Sequence, residues 1–187
     1  MIHSVRFTCV LDTNVIYPIM IRDIMFWFAY YDLYTPKWSQ HIFDEWSDVM
    51  KRKNVPEHEI IKRTNKANLA FPDALVTNYE GLIDTLTLND KKDRHVLAAA
   101  IKTNANVIVT NNLKDFPKDY LATFGLTAKS ADDFLTDIID LNIDTAVEAF
   151  KEMVLHRTNP EMDEYQVLDA LRRNNLKHTA EFLHSQL

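Results

Sequence analysis

The stretch NDKKDRHVLAAAIKTNANVIVTNNLKDFP, residues 89–117, sets a helix directly before a strand. From Asp93 to Thr103 the apolar residues Val96, Leu97, Ala100 and Ile101 fall on one side of a 3.6-residue repeat, which predicts a helix. Val107 to Thr110 is so uniformly apolar that it reads as a strand buried on both faces. Strands of that kind belong to parallel sheets covered by helices, and ligands of such sheets bind outside the carboxyl ends of the strands.

The same alternation extends towards the amino terminus. Phe7 to Leu11 reads as a buried strand with Asp12 at its carboxyl end, Ile19 to Tyr31 as a helix with a very apolar face, and Tyr34 to Pro36 as a second short strand. Ser39 can cap a helix from Gln40 to about Arg52, in which Ile42, Trp46, Val49 and Met50 mark the core side and Glu45 lies at the edge of that stripe. Pro56 to Asn68 is a polar helical segment; Phe71 to Tyr79 fits no single element. After Ser130 the pattern changes to helix after helix. Ser130 and Asp133 have capping-box spacing, Ala146, Phe150, Met153 and Val154 form a helical stripe, and Leu168, Leu171, Leu176, Ala180 and Leu183 suggest two more short helices around Pro160. The expected architecture is an α/β domain over residues 1–129 with a small all-helical appendage over residues 130–187.

Composition narrows the function classes. Two glycines in 187 residues leave no glycine-rich phosphate loop. The single Cys9 sits in an apolar run and reads as a buried small hydrophobe. The segment Met1 to Leu11, charged at Arg6, lacks the apolar length of a secretory signal, and Ile24 to Tyr31 is far short of the roughly 20 residues of a membrane span; the expectation is a cytosolic protein. The net charge of −6 is unevenly divided, with 16 Lys and Arg against 15 Asp and Glu in residues 1–129, but 5 against 12 thereafter. The acidity sits in the tail. If several acids of the first part hold divalent metal, contact of that part with phosphate is not electrostatically excluded.

Four acids stand where a strand–helix architecture would bring them together: Asp12 ending the first strand, Glu45 on a helix edge, Asp93 opening a helix, and Asp115 beyond the strand that ends at Thr110. Burying ionised carboxylates costs several kcal/mol each unless they are paired or metal-bound. Oxygen donors without clustered Cys or His select Mg²⁺ or Mn²⁺ over Zn²⁺. Taken singly, Asp12 could simply end a strand, Asp93 could favour a helix dipole, and Asp44 competes with Glu45.

"VLDTNVIYP" at 10–18, "SQHIFDEW" at 39–46, "NDKKDRHVLAAA" at 89–100 and "VIVTNNLKDFP" at 107–117 together resemble the ordered motifs of PIN domains, over roughly residues 7–120. The resemblance implies a PIN-like fold in which Asp12, Glu45, Asp93 and Asp115 hold one or two Mg²⁺ or Mn²⁺ ions, and an enzyme that cleaves RNA. Asn14 and Thr110 would be polar supports, Asn111 a neighbour of the metal or substrate, and Asp90 an auxiliary acid. Residues 159–176 are similar to a helical extension of a subset of VapC-like toxins, which implies a protein antitoxin as partner. A metal held by these acids would lower the pKa of a water for in-line attack on the phosphodiester, leaving 5′-phosphate and 3′-hydroxyl ends.

Around this core, Lys91, Lys92 and Arg94 are candidate phosphate contacts or simply an exposed helix start. The Lys51-Arg52-Lys53 run and the Lys62, Arg63 and Lys66 group read as solvated helix faces rather than RNA tracks. Phe26, Trp27, Phe28, Tyr30 and Tyr31 read as core and subunit interface, which leaves a homodimer open; Trp38 and Trp46 read as core. Seven scattered histidines show no metal-binding spacing, His95 being the one placed to matter. Two alternatives stay open: a PIN-like scaffold that binds RNA or a partner without cutting, and a haloacid-dehalogenase-type phosphatase, which Asn14 disfavours because that class needs an Asp at its position.

Overall fold

The computed structural model describes residues 7–187; the amino-terminal charge at Arg6 lies outside them. In chain order the elements are β1 (Thr8–Leu11), α1 (Thr13–Ile16), α2 (Ile19–Tyr30), β2 (Thr35–Ser39), α3 (Gln40–Arg52), α4 (Glu57–Ala70), β3 (Leu75–Val76), α5 (Glu80–Ile83), α6 (Arg94–Lys102), β4 (Val107–Val109), α7 (Lys118–Ala122), β5 (Thr127–Lys129), α8 (Ala131–Leu141), α9 (Ile143–Leu155), α10 (Glu164–Arg173) and α11 (Lys177–His184). Among the described residues five parallel strands form one sheet in the order β3-β2-β1-β4-β5. The chain builds outward from β1 to β2 and β3, then crosses back to β4 and β5. The direction of winding therefore reverses between β1 and β4, and the crevice at their carboxyl ends is where an open parallel sheet presents its ligand site.

Local chemistry accounts for the elements. Cys9, Val10, Leu11 and all of β4 are buried, as the unbroken apolar runs demand, and burial pushes the Cys9 thiol above its ordinary pKa. The Ser39 hydroxyl accepts from the Ile42 N–H and starts α3. Helices α3, α6 and α10 are followed by Asn54, Asn104 and Asn175 at φ of 58°, 49° and 63°. In so glycine-poor a chain, asparagine supplies the left-handed residue that ends a helix.

The sequence expectations need adjustment in four places. The second strand does not stop at Pro36 but runs to Ser39. Pro36 has no N–H, and it sits where that edge of β2 lies beyond the reach of β3, which pairs only with Trp38 and Ser39. The helix expected from Asp93 begins at Arg94, after a 3₁₀ turn over Lys91–Asp93. Val49 is half-buried and lines a cleft rather than the core. The aromatic group of α2 divides: Phe28 is buried, Tyr30 is 67% exposed, and Phe26, Trp27 and Tyr31 lie between.

The carboxyl-terminal helices are seated on the sheet part by continuous apolar contact. Helix α9 packs along α2, Phe134 meets Tyr34 edge-on with ring centroids 5.0 Å apart, and Arg157 pairs with Asp23 at 3.3 Å. One polar tie reaches the strand ends, where the Asn111 side-chain oxygen accepts from the Ala131 N–H.

Candidate active site

The reversal of winding brings the residue after β1 beside the residue after β4. Asp12 is 6% exposed and caps α1, its Oδ1 accepting from the Thr13 N–H at 2.6 Å and its Oδ2 from Thr110 Oγ1 at 2.7 Å and Asn14 Nδ2 at 2.5 Å. Three donors fix the plane of this carboxylate. Asn14 also reaches Thr110 with its amide and accepts from the Asn111 N–H, so it ties the two strand ends together. Burial raises the pKa of Asp12, and the hydrogen bonds from Thr110 and Thr13 only partly offset it.

Helix α3 supplies Glu45 from the side. Thr13 Oγ1 donates to Glu45 Oε2 at 2.6 Å, and His95 Nε2 lies 3.1 Å from Oε1. Burial alone would raise Glu45, but the bonds from His95 and Thr13, with the charge of the nearby His95 and His41 rings, outweigh it and hold the carboxyl below its usual value. Asp44 is exposed and accepts from Gln40, facing away from the cleft.

Asp93 contrasts with both. Its Oδ2 is buried and finds no hydrogen-bond partner among the described residues. Burial, then the charges of Asp12, Asp90, Asp115 and Glu45, pushes its pKa up to about 6. Asp90 caps the 3₁₀ turn through the Lys92 N–H, and Asp115 accepts from the Asn112 amide.

Asp12, Glu45 and Asp93 open into a cleft of about 520 Å³ lined also by Thr13, Asn14, Tyr17, Asp48, Val49, Arg52, Lys92 and Asn112, whereas Asp90 and Asp115 do not line it. Of the expected phosphate contacts Lys92 lines the cleft. Lys91 and Arg94 do not, the Arg94 Nε being buried without a partner among the described residues. Arg52 and Asp48 do line it, although sequence reading passed over Asp48 and left Arg52 on a solvated face. The signal was available: Glu45, Asp48, Val49 and Arg52 are spaced by three and four residues and share one side of α3.

The donor chemistry fits a hard divalent cation, since the acids are oxygen donors and one buried carboxylate oxygen is unsatisfied. In the conformation described, no three acidic or histidine side chains among the described residues converge closely enough to hold one ion together. Asp12 and Glu45 are instead occupied by protein donors.

A family model described as PIN domain matches residues 8–114, and another described as VapC50 C-terminal domain matches residues 131–185. A Mycobacterium tuberculosis protein named "Putative ribonuclease VapC50" is 40% identical over 109 residues, a match that covers 56% of this chain and 64% of that protein. The match thus spans less than two thirds of that relative's length. No solved structure matches the chain.

Proposed function

We propose, from the premise that this chain belongs to the PIN-domain family, that it is an endoribonuclease dependent on Mg²⁺ or Mn²⁺ and the toxin of a toxin–antitoxin pair. The observation that carries the reading is Asp93, a buried and unpaired carboxylate oxygen amid the charges of four other acids. A negative site of this kind is costly unless a cation enters it. Asp12, Glu45, Asp93 and Asp115 would hold that cation. When bound it supplies Lewis acidity, which lowers the pKa of a water and offsets charge developing on the phosphate.

The chain's own residues orient and neutralise. Thr110, Asn14 and the Thr13 N–H orient the Asp12 carboxylate, and Thr13 with His95 orients Glu45, so that the movement needed to close on one ion starts from two acids already aimed into the site. Lys92 and Arg52, on the cleft wall, are positioned to meet phosphate oxygens. Asn14 donates its amide to Asp12 and Thr110, which is the work of a support and speaks against the phosphatase alternative.

For the antitoxin, the fitting surface is the groove of about 500 Å³ lined by Phe26, Trp27, Tyr30, Tyr31, Ala70 and Phe71, with Glu152 and His156, 3.5 Å apart, on its wall. An apolar segment with a basic side chain would match its rings and its acid. No helix among the described residues is long and apolar enough to cross a membrane.

End-labelled RNA incubated with the chain and Mn²⁺ should yield 5′-phosphate and 3′-hydroxyl ends, and EDTA should stop the reaction. Ends carrying 2′,3′-cyclic phosphate, formed at undiminished rate in EDTA, would overturn the mechanism.

A further inference from the structure

Two basic groups in the sequence, Lys51-Arg52-Lys53 and Lys62, Arg63 and Lys66, lie on different helices and belong to no motif. Folding brings one member of each to the same place. Lys53, just past the end of α3, and Arg63, in α4, both line a second hollow of about 480 Å³, together with Arg22, Tyr17, Trp46 and Asn174. Its remaining walls, Pro18, Ile19, Met20, Met50 and Val55, are apolar. Among the described residues no carboxylate lines it.

Tyr17 is common to this hollow and the acidic cleft. Along α3, Glu45, Asp48, Val49 and Arg52 face the cleft, and Trp46 and Met50 face the hollow. The two depressions are thus neighbours of opposite charge, one rich in acids and one holding three cations. Arg22 lies with its guanidinium carbon 5.3 Å from the Trp46 ring centroid and donates to the carbonyls of Ile16 and Tyr17, so it is a fixed positive wall. Its nearest acid, Asp23, stands 3.9 Å away and is shared with Arg157 at 3.3 Å. The Trp46 indole N–H is buried without an acceptor among the described residues.

We propose that this hollow is the seat of one nucleotide of a single RNA strand, next to the phosphodiester that lies in the acidic cleft; the assignment rests on the ribonuclease reading above. A hollow whose lining holds three cations and no carboxylate suits a phosphate, and apolar walls beside the partly buried Tyr17 ring suit a nucleobase, the combination by which proteins hold single-stranded nucleic acid. The volume falls within the ~300–1,000 Å³ of ordinary small-ligand sites. Lys53 and Arg63 meet the phosphate, while Tyr17, Pro18 and Val55 flank the base. Asn174, at the end of α10, makes the carboxyl-terminal helices part of the pocket wall.

The test is anisotropy of a labelled single-stranded RNA hexanucleotide with the full chain in EDTA, where binding is read without cleavage. The double variant Lys53→Gln/Arg63→Gln should bind about tenfold or more weakly, and its log–log salt slope should fall by about 0.7, the release expected for one phosphate contact on a single strand. Lys53→Arg/Arg63→Lys, which keeps both charges and serves as the control for folding, should restore both values. Mn²⁺ affinity measured by calorimetry should stay within about twofold, since separate sites add independently. Unchanged RNA affinity and slope in the glutamine variant overturn the pocket, even if the wild type cuts RNA in Mn²⁺, in which case the ribonuclease reading stands. Pocket-dependent binding by a protein that cuts no RNA in Mn²⁺ supports the pocket and removes the ribonuclease reading instead.

Discussion

Asp93 in the sheet part and Asp132 in the carboxyl-terminal helices are both aspartates at the start of a helix, and their surroundings are opposite. Asp132 accepts from the His178 N–H, the Thr179 N–H and the Thr179 hydroxyl at 3.0, 2.8 and 2.7 Å, which ties α8 to the start of α11. Asp93 has a buried oxygen with no donor and four acids acting on it. Other acids of the tail follow Asp132: Asp163 completes a capping box with Gln166, and Asp133 bonds Ser130. An acid that the fold satisfies is a structural part. An acid with a buried oxygen that the fold leaves without a donor is the one that the proposed function gives to a cation.

The largest effect that tests this contrast is on catalysis. Asp93→Asn should lower Mn²⁺-dependent RNA cleavage by about a hundredfold to a thousandfold in single-turnover assays, the scale of losing one preorganised charge interaction. The fold should survive, because a neutral amide relieves repulsion among the acids. Near-normal cleavage would mean that Asp93 is no more functional than Asp132. Next in size, Asp132→Ala strands three donors and should lower stability by about 2–3 kcal/mol in urea denaturation, with the chemical step nearly untouched. A cleavage defect as large as that of Asp93→Asn would erase the distinction.

The smallest effect concerns pH. The Asp93 pKa is raised from 3.8 to about 6 in the folded chain. The folded state therefore holds this proton more tightly than the unfolded state does, and the stability so gained is complete below 3.8 and lost as pH rises through about 6. The full shift would correspond to about 3 kcal/mol; screening at a half-exposed carboxylate leaves about 1 kcal/mol. Urea titrations in EDTA at pH of about 4.5 and 7 should show wild type losing that much relative to Asp93→Asn. A difference of the opposite sign would mean that Asp93 has a cationic partner in solution.

The sheet part was legible because its signals are local. Short runs of apolar and β-branched residues at Phe7–Leu11 and Val107–Thr110 read as buried parallel strands, and the stripes of α2, α3 and α6 follow from a 3.6-residue repeat. The short elements α1, α5, α7 and β5 left no such trace. β5 has little apolar sequence and exists because β4 offers it a partner.

The candidate site divides in the same way. That Asp12, Glu45, Asp93 and Asp115 stand in motifs resembling one family pattern was readable from the chain, because spacing and neighbours are properties of sequence. That Asp12 is held by three donors while Asp93 lacks one, and that Lys53 and Arg63 line one hollow beside the cleft, were decided only in three dimensions. A charge and its solvation depend on which groups folding brings within a few ångströms, and some of those groups, such as Thr110 beside Asp12, are distant along the chain.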